Sequence, residues 1–329
     1  MKNENINLVK AAFHAQFKTA MESCGVSTEY YFRRVNLPVE VNDPEVMLPL
    51  KPFYHLINIV AIDENMPGFG CFVAQTTPWH KVLSLGPLIE NCGNLKELLD
   101  KFCEIASSQS SHVKFSLVDE GSHFDFCYTD TPVYKGDIQM ELYRITSMIQ
   151  LVQLATGAQW SPGTIRLIIP ETAAVPSCSL LTKSKIRFSQ AHTAFSIPAV
   201  VLQLPVRMEI SASKTKRGKY RATINTDLAA AIRQIINTYA LAKNISIEEV
   251  ASIADMSVRS LQRRLRENGL KFNDLMNRAK FAHARDKLQD TQVPIKEIAA
   301  SLGYSDPAHF TRAFRRWSGL SPNEFRKNL

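Results

Sequence analysis

The chain states one pattern twice near its C-terminus, and that repeat constrains the fold more than anything else in it. Ser246 to Leu275 reads S-I-E-E-V-A-S-I-A-D-M-S-V-R-S-L-Q-R-R-L-R-E-N-G-L-K-F-N-D-L. Pro294 to Phe325 reads P-I-K-E-I-A-A-S-L-G-Y-S-D-P-A-H-F-T-R-A-F-R-R-W-S-G-L-S-P-N-E-F. Glu249, Val250 and Ala251 align with Glu297, Ile298 and Ala299; Ser257 with Ser305; Leu261 and Leu265 with Phe310 and Phe314; Gly269 and Leu270 with Gly319 and Leu320. The offset drifts from 48 to 50 residues, as small insertions in turns produce. Each copy is a short helix, a tight turn and a longer basic helix, the helix-turn-helix arrangement.

Charge follows the same division. Lys and Arg number 17 against 20 Asp and Glu over residues 1–210, and 22 against 11 over residues 211–329, which gives net charges of −3 and +11. The last third is therefore suited to a polyanion and the first two thirds to something else. A basic helical bundle with a solvated face would explain one such copy. Two matched copies joined by a helix in a basic segment exclude that reading.

The sequence predicts a mixed first part, with helices over 5–24, 27–34, 51–63, 95–106 and 137–156 from apolar spacing. Alternating runs Val113–Leu117 and Phe124–Tyr128 flank Glu120-Gly121-Ser122 and predict a β-hairpin. Short strands are expected at Thr164–Ile169, Ile186–Phe188 and Ala194–Ile197. The expected fold is an α+β N-terminal domain over 1–210, a basic linker over 211–225 and an all-α domain over 226–329, with motifs at about 247–268 and 294–317. Within the all-α part, Ser246 with Glu249 and Ser321 with Glu324 have the spacing of capping boxes. Ser257 and Ser305 are expected to cap Val258–Asn268 and Asp306–Trp317, and a long helix over 272–290 joins the two motifs. That helix spans roughly 28 Å, against about 34 Å between major-groove faces on one side of B-DNA.

A recognition helix must keep one face in a core and offer long polar arms on the other. In Val258–Asn268, Val258, Leu261 and Leu265 face inward, while Arg259, Gln262, Arg263 and Arg266 project outward. In Asp306–Trp317, Phe310, Phe314 and Trp317 face inward, while Ala308, His309, Thr311, Arg312, Arg315 and Arg316 lie opposite. Arg pairs in bidentate fashion with guanine and Gln with adenine. The expected base contacts are Arg259, Gln262, Arg263, Ala308, His309, Thr311 and Arg312. The expected phosphate contacts are Ser257, Ser305, Arg266, Arg315 and Arg316. Ala308 can offer only a methyl contact, so the first helix is expected to supply most of the base specificity.

Other chemistry finds little support. H-E-x-x-H, G-x-S-x-G and a P-loop are all missing from the sequence, and G-F-G at 68–70 lacks the third glycine of a nucleotide loop. The six cysteines are scattered without a C-x-x-C pair, and His80, His112, His123 and His192 stand apart. No catalytic residue, metal or cofactor is therefore expected, and Trp79, Phe124, Tyr143 and Trp160 are read as core. M-K-N-E-N-I-N has no signal-peptide core and no apolar run reaches membrane-spanning length, so a cytoplasmic protein is expected.

Residues 226–329 resemble the AraC/XylS transcriptional regulators, through E-E-V-A-S-I-A-D-M-S-V-R-S-L-Q-R-R-L and I-K-E-I-A-A-S-L-G-Y-S-D-P-A-H-F-T-R-A-F-R-R-W-S-G-L-S-P-N-E-F-R. The resemblance implies a DNA-binding domain whose two recognition helices enter consecutive major grooves. It also implies an activator, sometimes a repressor, that acts at promoters on double-stranded DNA and contacts RNA polymerase. By motif match it assigns base contacts to Arg259, Gln262, Arg263, Ala308, Thr311 and Arg312, with Ala308 departing from a position that is often polar. The N-terminal part, with L-K-P-F-Y-H-L, L-I-E-N-C-G-N-L-K-E-L-L and R-F-S-Q-A-H-T-A-F-S-I-P, resembles the branch with an arabinose-binding-type regulatory domain. That resemblance implies a small-molecule effector or, alternatively, a dimerisation module without a ligand, and so a homodimer.

Overall fold

The structure is a computed structural model of the chain. It describes residues 6–41, 43, 46–82, 92–106, 110, 113–129, 137–171, 178, 180–206, 228–240, 245–254, 256–290 and 292–328. The expected linker 211–225, with Lys216, lies outside the described residues, as do His112 and Thr226 and Asp227, either of which has the side chain to cap the helix that follows. The chain divides into two compact units. One comprises Asn7–Glu45 and Pro52–Ile224, and the other Met1–Ile6, Val46–Lys51 and Asn225–Leu329.

In chain order the elements are β1 (Leu8–Lys10), α1 (Ala12–Ser23), α2 (Thr28–Arg34), β2 (Met47–Pro49), α3 (Lys51–Asp63), α4 (Phe69–Thr76), α5 (Trp79–Val82) and α6 (Leu95–Ala106). Then come β3 (Lys114–Asp119), β4 (His123–Thr129), α7 (Ile138–Thr156), β5 (Thr164–Arg166), β6 (Lys185–Arg187), β7 (Thr193–Pro198) and α8 (Ala199–Leu202). The helical part has α9 (Leu228–Ala240), α10 (Ile247–Ile253), α11 (Val258–Glu267), α12 (Phe272–Leu288), α13 (Ile295–Ser301), α14 (Pro307–Ser318) and α15 (Pro322–Lys327).

The N-terminal unit is α+β. Its sheet runs β3-β4-β7-β5-β6, antiparallel except for the parallel pair β5–β6. The predicted hairpin is there, with Leu117 opposite Phe126 and Phe126 opposite Phe195. These residues share one face of the sheet, and aromatic contacts tie that face to the helices: Phe102 lies 5.1 Å from Phe115 and 5.4 Å from Trp79 between ring centroids. Trp79 and Tyr143 are core residues, and their polar ends are used: Trp79 Nε1 donates to Tyr143 Oη at 2.8 Å, which donates to Gln16 Oε1 at 2.6 Å. Phe124 and Trp160 are half-buried.

The central element is α7, capped by Asp137, which accepts from Met140 N at 2.9 Å. It is buried along most of its length, including Glu141 and Arg144. The Glu141 carboxylate accepts from Tyr128 Oη, Thr193 Oγ1 and, at 3.3 Å, Ile168 N. Burial pushes its acid up to about 7, even though Thr193, Arg144 and Ile168 all favour the charged form. The folded state thus holds this proton more tightly than the unfolded chain. The resulting stabilisation is complete below the ordinary carboxylate pKa of 4.5 and is lost as pH rises through about 7. Between pH 5 and 8 the N-terminal unit should lose roughly 2–3 kcal/mol from this group. Glu141→Gln, followed by urea denaturation across that range, should flatten the slope; an unchanged slope would exclude Glu141 as its source.

One local reading in the N-terminal unit needs correction. Residues 5–24 do not form one helix: Leu8–Lys10 is extended, with Val9 bridged to Ser110, and the helix begins at Ala12. The glycine-bearing stretch after Gly68 is helical, as α4 and then α5.

In the C-terminal unit, β2 packs on α9, whose Ile232, Ile235, Ile236 and Tyr239 are buried. The second motif has its own core of Ala284, Leu288, Ile298, Ala299, Leu302, Phe310 and Phe314, flanked by Phe281, Trp317 and Phe325. Along α12 the apolar spacing predicts Phe272, Leu275, Met276, Ala279, Ala282 and Leu288 inward; Leu275, Met276, Ala279 and Leu288 are buried and Phe272 is half-buried, but Ala282 is exposed and Ala284 takes the buried position. Both capping boxes form, at Ser246 with Glu249 and at Ser321 with Glu324.

Candidate nucleic-acid interface

Each recognition helix is held by its own N-terminal cap, its own apolar stripe and a left-handed glycine just past its end. For α11, Ser257 Oγ accepts from Ser260 N at 3.2 Å, Leu261 and Leu265 are buried, and Gly269 has φ 66°. A left-handed residue after the C-cap suits glycine, which has no Cβ to clash there. For α14, the cap is Asp306 and not Ser305. Its carboxylate accepts from Ala308 N at 2.8 Å, and Pro307 takes the first helical position. Both residues are good caps, but only Asp306 immediately precedes a proline at the first helical position, where proline is preorganised. Gly319 then ends the helix at φ 80°.

The outward faces carry the residues that periodicity selects. Arg259, Gln262, Arg263 and Arg266 are exposed and, with Ser260, line one open depression on α11. Ser260 was not among the expected contacts; its signal was the three-residue spacing from Ser257, whose Oγ lies 2.9 Å from Ser260 Oγ. The Ser257 hydroxyl is thus engaged in its own cap. On α14, Ala308, His309, Arg312, Arg315 and Arg316 are exposed. Thr311 is half-buried, and its hydroxyl donates to Pro307 O at 2.9 Å, which ties it into the helix. Three of these side chains have acidic neighbours: Arg263 lies 3.6 Å from Glu267, His309 lies 3.8 Å from Asp306 and Arg315 lies 3.8 Å from Glu324. These are exposed pairs of small energetic weight, so phosphates can compete for the cations.

The helix between the motifs, α12, has 17 residues and so a length of about 26 Å. On α12, Lys280 Nζ sits 4.9 Å from the Tyr304 ring, and burial lowers its pKa. It belongs to the packing between α12 and the second motif's turn. Among the described residues no group of His, Cys, Asp and Glu could hold a metal ion, and no helix is long and apolar enough to cross a membrane.

Residues 250–328 match a helix-turn-helix domain, and residues 25–206 match the N-terminal arabinose-binding domain of AraC transcription regulators. The chain is 23% identical to the HTH-type transcriptional regulator VirS of Mycobacterium tuberculosis over 335 residues, covering 97% of this chain and 96% of VirS. It is 35% identical over 84 residues to the HTH-type transcriptional regulator VqsM of Pseudomonas aeruginosa, covering 26% of each. Among solved structures, the transcriptional regulator CdpR from Pseudomonas aeruginosa aligns over 91% of this chain and 96% of its own, at 17% identity and a TM-score of 0.38.

The two helix-turn-helix motifs, the domain matches and the likeness to VirS define a DNA-binding transcriptional regulator. VirS and VqsM are both HTH-type transcriptional regulators. More narrowly, the chain belongs to the AraC transcription regulators, in the branch with the arabinose-binding-type N-terminal domain.

Proposed function

We propose that this regulator reads one promoter site through both recognition helices, usually as an activator, in response to a small molecule bound by its N-terminal domain. The observation that carries the reading is the pair of exposed basic faces, on α11 and α14, each standing on a separately packed core. In this reading Arg259, Gln262, Arg263, Ala308, His309, Thr311 and Arg312 meet base edges, while Ser257, Ser305, Arg266, Arg315 and Arg316 meet phosphates. The domains divide at 1–210, 211–225 and 226–329, the protein acts in the cytoplasm, and RNA polymerase and a second copy of the chain are its protein partners. The tied hydroxyl of Thr311 and the bare methyl of Ala308 support an uneven reader, in which α11 sets most of the base preference.

Arg263→Ala is expected to cost about 1–3 kcal/mol in operator binding and to relax preference at one base position. Arg312→Ala should cost less and relax preference less. Binding measured over a library of single-base operator variants checks both. An equal loss on every sequence for Arg263→Ala would remove it from the base readers. Affinity should also fall steeply with salt. For the N-terminal domain, stabilisation of the whole protein by one class of metabolite in a thermal-shift screen supports an effector. Stability that changes only with protein concentration would support dimerisation alone.

A further inference from the structure

The N-terminal unit contains a pair of thiols that DNA reading does not use. Cys71 lies on α4, and Cys178 precedes the turn at residues 180–184; the two sulfurs are within hydrogen-bonding reach of each other. Both residues are buried, at 3% and 6% exposure. Thr146 Oγ1, on α7, donates to Cys71 Sγ at 3.4 Å. Gln75 Nε2, one helical turn beyond Cys71, donates to Cys178 Sγ at 3.9 Å. The Leu181 backbone N–H donates to the Cys178 carbonyl at 2.8 Å and so fixes Cys178 at the start of this turn. Two chain segments far apart in sequence thus place two sulfurs together, with a side-chain donor on each.

Donors of this kind stabilise a thiolate. The hydrogen bond from Cys71 holds the Cys178 thiol below its usual range against the opposing effect of burial, with Leu180, Thr146 and Leu181 adding to it. The same hydrogen bond, together with burial, pushes the Cys71 thiol far up. The other buried thiols contrast with this: burial and Asp100 push Cys103 up to about 12, and burial and Asp125 push Cys127 up to about 11. Only at the pair does a depressed thiol stand beside a second sulfur that can resolve it.

We propose that Cys178 and Cys71 form a peroxide-reactive dithiol that closes to an intramolecular disulfide, making the N-terminal unit a site of reversible oxidation. The Cys178 thiolate attacks one oxygen of a hydroperoxide; the S–O bond forms, the O–O bond breaks, and the departing oxygen takes a proton, leaving as water when the oxidant is hydrogen peroxide. Cys71 then gives up its proton and attacks the sulfenic sulfur. The S–S bond forms, the S–O bond breaks, and hydroxide leaves with that proton as water. Two thiols are oxidised and one peroxide is reduced by two electrons. The enclosed position of both sulfurs suits an oxidant about the size of water and disfavours a bulky disulfide.

The test uses the full-length reduced protein, treated with equimolar hydrogen peroxide, quenched with iodoacetamide and mapped as unreduced tryptic peptides. The expected result is a linkage between the peptides carrying Cys71 and Cys178, reversed by dithiothreitol. Thiol loss at Cys178 should run about tenfold or more faster than at Cys103 or Cys127 in the same sample. In Cys71→Ser, the sulfenic acid should persist long enough to be trapped by dimedone, and in Cys178→Ser, Cys71 should stay reduced. Oxidation of Cys178 no faster than that of Cys103, or its conversion to sulfinic acid without the linkage, would overturn the proposal. The wild-type peptide map decides this even where a variant folds poorly.

Discussion

Phe314→Ala should destabilise the second helix-turn-helix by about 3–5 kcal/mol and remove its half of the operator footprint. Phe314 is fully buried, and its ring meets four other aromatics: Phe325 at 5.3 Å, Phe281 at 5.5 Å, Phe310 at 5.7 Å and Trp317 at 6.4 Å. These residues come from α12, α14 and α15, so the ring is where three helices meet. Removing it loses the transfer energy of a large side chain and leaves a cavity that three separate helices cannot close together. Arg312→Ala provides the contrast. It sits on the exposed face of the same helix and should weaken DNA binding without moving the denaturation midpoint. Urea denaturation followed by footprinting separates the two effects. A full-length footprint and an unchanged midpoint for Phe314→Ala would mean that the second motif does not depend on this core.

The C-terminal unit was largely legible in the sequence because its determinants are local. Capping boxes, terminal glycines and a spacing of three to four residues act within single helices, so Ser246, Glu249, Ser321 and Glu324 could be assigned from the letters alone. The exposed face of α11 follows from the same periodicity. Errors arose where two local signals competed, or where distant partners decided. Ser305 and Asp306 are both good N-caps, and Pro307 settled the choice. Leu8–Lys10 carries helical spacing, yet Ser110, about a hundred residues away, bridges Val9. Glu141, in the first turn of α7, fits the acidic preference of a helix start, so nothing local announced its burial beneath Tyr128 and Thr193. Val46–Lys51 lies inside the segment that matches the regulatory domain, yet it belongs to the C-terminal unit. Side chains that lie together only after folding, such as Cys71 and Cys178, leave no mark in sequence spacing.

Gly70→Ala should cost the N-terminal unit roughly 3 kcal/mol or more, at or beyond the upper end for an inserted methyl group. Taken alone, α4 predicts the opposite, since alanine is favoured over glycine inside a helix by about 1 kcal/mol. The contact with α7 outweighs that preference. A Cβ at position 70 would stand 2.0 Å from Gln139 O, 2.9 Å from Gln139 C and 3.1 Å from Tyr143 N. All three atoms are backbone, so no side-chain rotation relieves the clash. Nor can α7 easily retreat. Gln139 Oε1 accepts from Gly70 N at 2.9 Å, Gln139 Nε2 donates to Pro67 O at 2.7 Å, and the buried carboxylate of Glu141 ties the same turn to the sheet. The glycine of the G-F-G stretch is thus required for helix packing, and the sequence resembled a nucleotide loop only because both uses need a backbone without a side chain. Hydrogen exchange should show lost protection across α4 and α7, with α11 and α14 unchanged. Gly163→Ala, where a Cβ meets nothing within 4 Å, should stay within about 0.5 kcal/mol of the parent. Equal stability of the two variants would show that α4 and α7 do not approach each other this closely at Gly70.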